Sequence, residues 1–435
     1  MRKIFLVLVG LFCLINSVKA SERLSLDDCL KMALSNNPGL SSIKARLLAA
    51  EDLARAAQRE KWPTLSARYN FLHLRDQQKV VILGRDIPLS AHEKIEFDLL
   101  WNFPVFHGFS IRVKERLKEL EANLASVAYQ RALLTLSFQV KEAYYDLLKA
   151  ERGLREAQKS LERLKAHLKK AESFYQEGLI AKHQVLEAEV AVAQAEHAQI
   201  VAQNLVEIAR GRLNILLNRN VATPIEIQDD LENQPYLKDY EFYLKEALKR
   251  RPEIRAAEIA IEKAKENVRL AKSSYYPWID IQGIYQKQGP DLLATRNPYG
   301  DRENIYFGVE IKWLLWDWGK RKREVSAARA QVFSEEAALK DIKNQVSLEV
   351  RSAYLEFRAA EKRLKVANEA LNSAQENYRL HVARFKEGLS TTTDVLDAES
   401  FLTSAQVRRI QALADLKITY AKLLYATGHA EPKPF

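Results

Sequence analysis

Asp394 and Asp397 stand three residues apart in "STTTDVLDAE", at the head of a segment with helical periodicity, and that spacing puts both carboxylates on one helix face. Like charges held this close raise one another's pKa and attract cations, so the pair is a candidate cation-binding surface. A plainer reading stands beside it: acids at a helix N-terminus are stabilised by the macrodipole and need no further role. Catalysis finds no support. The eight histidines (His73, His92, His107, His167, His183, His197, His381 and His429) show no HExxH pattern or clustered ligand spacing, and there is no glycine-rich phosphate loop. Cys29 sits beside Asp28 in a helical pattern. No enzyme, metal or cofactor is expected.

The elements that position these residues follow from composition. With 14 Gly and 12 Pro in 435 residues, turn formers are about half as frequent as usual, while 29% of residues are charged and 47% hydrophobic. This excludes collagen-like and disulfide-scaffold classes and wholesale disorder, and leaves a mainly helical protein. The net charge of +10 does not imply nucleic acid. Lys and Arg alternate with Glu, as in "KERLKELEA" (114–122), the pattern of solvated coiled-coil faces.

The N-terminus reads as an export signal. Arg2 and Lys3 precede an apolar run, 4–15, and the small residues around Val18 and Ala20 predict a signal peptide over 1–20, cleaved after Ala20. An apolar run of about 12 residues is too short to span a hydrocarbon core of about 30 Å. Bulky Phe12 before Cys13 argues against a lipid attachment site, and the mature chain keeps only Cys29, hence no internal disulfide. Beyond residue 20 charge interrupts every apolar run, so any membrane crossing must use strands.

The chain is duplicated. "LKMALSNNPGL" (30–40) returns as "LKEALKRRPEI" (244–254), and Pro63 returns as Pro277, both at an offset of 214. Gly108 and Gly319 pair at 211. "VKEAYYDLLKAE" (140–151) returns as "VRSAYLEFRAAE" (350–361), and "YQEGLIAKHQVLEAE" (175–189) as "FKEGLSTTTDVLDAE" (385–399), both at 210. The implied organisation is a first repeat over 21–218, a polar linker over 219–243, a second repeat over 244–425 and a tail over 426–435. Each half reads as an opening helix, two strands, a long helix and a returning helix. Segment 320–387 contains neither Gly nor Pro, and 109–177 contains only Gly153, so each predicts one helix of roughly 100 Å. Leu154, Leu161, Leu168 and Tyr175, like Leu364, Leu371, Tyr378 and Phe385, recur every seven residues, the period of coiled-coil packing.

Four strands are predicted per chain, from Leu65, Ala67, Tyr69 and Phe71 and from segments 97–106, 278–285 and 305–316, all with period-two apolar character. Aromatic residues concentrate here, including Trp101, Phe103, Trp278, Tyr306, Phe307 and Trp313, as membrane-interface girdles require. Four strands have two bare edges and cannot close alone, which points to a barrel shared among chains in an outer membrane. A soluble sheet with an aromatic core, and a secreted structural coiled coil or adhesin, are the alternatives.

These features together resemble the TolC-like outer membrane factor family. The resemblance rests on the duplicated "AL-(x)3-P" motif at 33–38 and 247–252, on Pro63, Pro277, Gly108 and Gly319, and above all on "FKEGLSTTTDVLDAE". It implies a homotrimer with a 12-stranded transmembrane barrel, a helical tunnel, and an equatorial belt formed by the linker and tail. It implies the exit duct of a tripartite efflux or type I secretion system, in the outer membrane and periplasm. The implied partners are outer membrane lipid, a periplasmic adaptor (membrane fusion protein) and an inner-membrane transporter of RND, ABC or MFS type. Asp394 and Asp397 match positions of acidic rings at the periplasmic entrance, with Glu187 as the first-half counterpart of Asp397 and Phe385 at the same constriction. The tips, Tyr175, Gly178, Leu179, Gly388 and Leu389, form the implied adaptor-docking surface, and Trp101, Phe103, Trp278, Tyr306 and Trp313 the implied girdle. Ser390 and Gln184 stand where some members carry an Arg and an Asp, so that gate-locking charge pair cannot form here.

Overall fold

The computed structural model describes residues 23–233 and 235–429, so the expected signal peptide and the end of the tail lie outside the described residues. In chain order the elements are α1 (Leu26–Asn36), α2 (Pro38–Ala57), β1 (Thr64–His73), β2 (Lys79–Ile82), β3 (Arg85–Pro88), β4 (Glu93–His107), α3 (Ser110–Gln176), α4 (Lys182–Leu216), α5 (Tyr240–Arg250), α6 (Pro252–Ser273), β5 (Trp278–Gly289), β6 (Glu303–Lys312), α7 (Lys320–Lys386) and α8 (Thr392–Ala426). The two Gly/Pro-poor segments are indeed single helices of 67 residues each. Among the described residues no helix is long and apolar enough to cross a membrane.

One expectation is corrected and one is extended. Each half opens with two helices rather than one, because the proline of each repeated motif breaks the helix: it lacks an N–H and forces the preceding residue out of the helical region. Asn37 (φ −65°, ψ 121°) and Arg251 (φ −63°, ψ 124°) are accordingly extended. The four expected strands make the main sheet, and the polar connection between β1 and β4 adds a hairpin of its own, β2 with β3.

The chain divides into two compact units. The first comprises 1–40, 133–246 and 349–435. Its core includes Tyr144, Leu147, Leu213, Leu217, Phe357 and Leu413, all buried. Here the linker is pinned rather than free. Tyr144 Oη donates to the Gln228 carbonyl at 2.6 Å, and a parallel bridge joins Leu24 to Ile227. Arg152 grips both oxygens of Asp229 at 2.8 Å and also reaches Glu232 at 3.0 Å, which Arg409 holds as well. Bidentate guanidinium–carboxylate geometry of this kind restrains both position and orientation.

The second unit comprises 41–132 and 247–348. In it α3 and α6 meet through Leu120, Val127 and Ile259, flanked by the ion pairs Arg131–Glu253 at 3.2 Å and Arg116–Glu262 at 3.4 Å. Its main sheet is antiparallel in the order β1-β4-β5-β6. The register gives the sheet two unlike faces. Asp280 pairs with Glu310 and Gln286 with Asp98, and their even-numbered neighbours carry polar groups joined across strands: Gln282 Nε2 donates to Glu310 at 3.0 Å, and Gln286 Nε2 to Asp98 at 3.1 Å. The odd-numbered set on the opposite face, Leu65, Tyr69, Phe71, Ile305, Phe307, Val309 and Ile311, is apolar and at least half exposed. A sheet of a soluble domain would cover that face with helix or loop.

Candidate functional site

The sequence places the candidate site at two turns, α3 into α4 and α7 into α8. Both long helices end in the same motif. Gly178 and Gly388 take φ of 72° and 73°, and the next residue's N–H reaches back to the helix: Leu179 to the Phe174 carbonyl at 2.8 Å, Leu389 to the Arg384 carbonyl at 2.9 Å. The left-handed backbone is what glycine permits without a Cβ penalty, and the paired bonds satisfy otherwise orphaned carbonyls. A Cβ at either glycine would meet open space. Tyr175, Leu179 and Leu389 are left exposed around these turns, apolar surface that the chain does not cover.

Phe385 is 3% exposed within the chain. It stacks on Phe174 (centroids 5.4 Å apart) and against His167 (4.8 Å), because an aromatic at the seam position of the last helical turn can bury itself between the helices. His167 Nε2 is buried with no hydrogen-bond partner among the described residues, and desolvation pushes its pKa from 6.5 down to about 4. The imidazole is therefore neutral and serves as an apolar packing group.

The acids divide into two roles. Asp394 is the N3 residue of α8 and closes a capping box with Thr391: its Oδ2 accepts from the Thr391 N–H at 2.8 Å, and its own N–H donates to Thr391 Oγ1 at 3.2 Å. Ser390 Oγ also donates to Asp394 at 3.0 Å and approaches His381 Nδ1 at 3.3 Å. These bonds, the Thr391 backbone N–H first, hold the Asp394 carboxyl below the usual range. Asp397 is exposed and shares a groove of about 740 Å³ with Glu187, His183 and Thr393. Thr393 Oγ1 donates to Glu187 at 3.0 Å, and the Thr392 N–H to Gln184 Oε1 at 3.4 Å, so α4 and α8 are tied by hydrogen bonds. Sequence spacing had put Asp394 and Asp397 together; the fold puts Asp397 with Glu187.

Sequence reasoning missed the anchor behind this groove. Glu399 is buried, and one of its oxygens accepts from Ser160 Oγ at 2.8 Å, Thr403 Oγ1 at 2.7 Å and Arg163 Nη2 at 2.8 Å. The Arg163–Glu399 pair joins α3 to α8 above the apolar cluster Leu161, Leu164, Val192 and Ala195. Nothing in the sequence signals a pair 236 residues apart. The Thr391–Asp394 box, by contrast, is a local T-x-x-D pattern, and S-x-x-D at Ser25–Asp28 forms the same box at the start of α1.

The girdle residues also separate. Trp101 and Phe103 lie on the apolar face of β4 and tilt together at 6.1 Å. Tyr306 and Trp278 turn to the polar face instead. Tyr306 Oη donates to Gln286 at 2.8 Å, and Trp278 stacks at 4.8 Å on His107, whose Nε2 meets Asp280 at 2.8 Å. Trp313 falls one residue past β6, where its Nε1 donates to the Tyr275 carbonyl at 3.1 Å.

Known proteins share this fold. The family model described as "Outer membrane efflux protein" matches the chain twice, over 29–219 and 243–429, the two repeats in turn. Protein CyaE of Bordetella pertussis is 24% identical over 94% of this chain and 84% of its own length. Outer membrane protein TolC of Escherichia coli is 23% identical over 70% of this chain and 62% of its own length. The crystal structure of the outer membrane protein VceC from Vibrio cholerae superposes with a TM-score of 0.76 at 20% identity, covering 93% of this chain and 96% of that one, and so shares its fold. The chain belongs to the outer membrane efflux protein family.

Proposed function

We propose that three copies of this chain close their four-stranded sheets into a 12-stranded outer membrane barrel, and that their helices form the exit duct of a tripartite efflux or type I secretion system. The observation that carries this reading is the main sheet: polar side chains hydrogen-bonded across one face, and bare apolar residues such as Ile305, Phe307 and Val309 on the other. That is the inside-out pattern of a water-filled barrel in lipid, where every edge must also be paired. β1 and β6 each have one neighbour in the sheet, so closure needs strands from other copies.

The helical turns at Gly178 and Gly388 then form the entrance, with Leu179 and Leu389 offered to a periplasmic adaptor and through it to an inner-membrane transporter. Asp397 and Glu187, with the capped Asp394 behind them, supply negative charge around the axis and make the entrance cation-selective. With the Arg and Asp of some relatives replaced by Ser390 and Gln184, the closed entrance relies on the Thr392–Gln184 and Thr393–Glu187 hydrogen bonds. Reconstitution of the detergent-purified protein in a planar bilayer tests the reading. A heat-modifiable oligomer that conducts ions is expected; a water-soluble single subunit without conductance refutes it.

A further inference from the structure

We propose that a cavity between α6 and α7 binds the phosphodiester of an anionic glycerophospholipid, an inference that rests on reading the main sheet as part of a membrane barrel. The cavity, about 490 Å³, is lined by Lys272, Tyr275, Tyr276, Lys322, Ser326 and Arg329 over the buried Val325. Lys322, Ser326 and Arg329 are spaced by four and three residues and so lie on one face of α7. The last turn of α6 brings Lys272 to the same space.

Charge is what distinguishes this cavity. Elsewhere in this unit about half of the cations are paired, as in Arg116–Glu119, Arg269–Glu266 and Lys263–Glu121. Lys272, Lys322 and Arg329 form no ion pair among the described residues, and no carboxylate lines the cavity. The nearby acids are engaged otherwise: Asp317 with Arg321 at 2.6 Å and Glu324 with Lys320 at 3.8 Å. Three unpaired cations around one hollow repel one another, and an anion between them relieves the repulsion. The repeat does not require them. At the offsets that relate the two halves, Gln58, Ile111 and Lys118 take their places, and Lys118 is paired with Glu121 at 2.8 Å.

Position selects a lipid as the source of the anion. The exposed odd-numbered series Ile305, Phe307, Val309 and Ile311 continues to Trp313, whose indole is hydrogen-bonded to Tyr275, and the Arg321 guanidinium lies 4.9 Å over the Tyr275 ring. Leu315, Trp316 and Trp318 beyond it are 72%, 71% and 90% exposed. Tryptophan and tyrosine beside cations, at the end of an apolar face, are what a bilayer interface accommodates. The acyl chains lie on the apolar surface, and the tyrosine and serine hydroxyls and the three cations meet the headgroup.

Native mass spectrometry of the detergent-solubilised full-length protein, titrated with phosphatidylglycerol or phosphatidylcholine, tests this. The wild type should retain phosphatidylglycerol preferentially, and Lys272→Gln/Lys322→Gln should bind it about thirtyfold more weakly, about fivefold per cation removed. Arg329→Gln alone should show about one such step, and Lys118→Gln none. Equal binding by wild type and the double variant, no preference over phosphatidylcholine, or displacement by equimolar inorganic phosphate overturns the inference. The wild type's bilayer conductance, measured on the same preparation, separates the two levels. A conducting channel without lipid preference overturns only this site; a protein that does not conduct overturns the barrel reading beneath it.

Discussion

Acidification probes the packing of the tip. His167 is pressed against Phe385 with its Nε2 buried and unpartnered among the described residues, and its pKa falls from 6.5 to about 4. When the tip opens, the imidazole regains its ordinary affinity for protons, so between these two values the open state binds more protons than the closed one. Linkage then fixes the sign: the closed tip has its full stability above about pH 6.5 and loses it progressively toward about pH 4. A drop from 6.5 to about 4 sets a ceiling of about 3 kcal/mol, and the partial exposure of the ring reduces the expected effect to about 1.5 kcal/mol, about tenfold in the opening equilibrium. Hydrogen exchange of segments 160–180 and 380–392, corrected for intrinsic rates and compared at pH 7 and pH 4.5, reads that equilibrium. His167→Leu keeps the apolar contact and removes the titration, so the pH-dependent loss of protection should shrink by about tenfold in the variant. Identical pH profiles for wild type and variant refute the reasoning.

Three further outcomes are expected. Asp394→Ala/Asp397→Ala should weaken the cation preference measured by single-channel reversal potentials, with Glu187 supplying what remains, and wild-type selectivity in the double variant would remove the acidic entrance from the proposal. Glu399→Ala leaves Arg163 half-desolvated without its carboxylate and should cost about 3 kcal/mol in thermal unfolding in detergent, whereas exposed Arg379–Glu376 removed in the same way should cost less than about 1 kcal/mol. Gly388→Trp strains a backbone at φ 73° by about 1 kcal/mol but meets open space, so the oligomer should persist while crosslinking to the adaptor is lost.

Local patterns carried most of the architecture. The scarcity of Gly and Pro and a seven-residue apolar period sufficed for the long helices, and period-two aromatics for the main strands, because both depend on interactions between residues close in sequence. The glycine turns were legible for the same reason: a C-terminal cap needs only its own last turn. The broken opening helices were also written locally, in the prolines of the repeated motif.

What the tertiary structure alone decided is which residues share a surface. Helical spacing placed Asp394 beside Asp397, yet hydrogen bonds to Thr391 hold Asp394 as a cap while Asp397 joins Glu187 from another helix. Strand register places Tyr306 and Trp278 on the polar face and leaves Trp101 on the apolar one. Phe385 and His167, and Arg163 and Glu399, meet across more than 200 residues of chain. Sequence periodicity specifies the face of an element on which a side chain lies; the partner across that face depends on packing between elements, which no local pattern encodes.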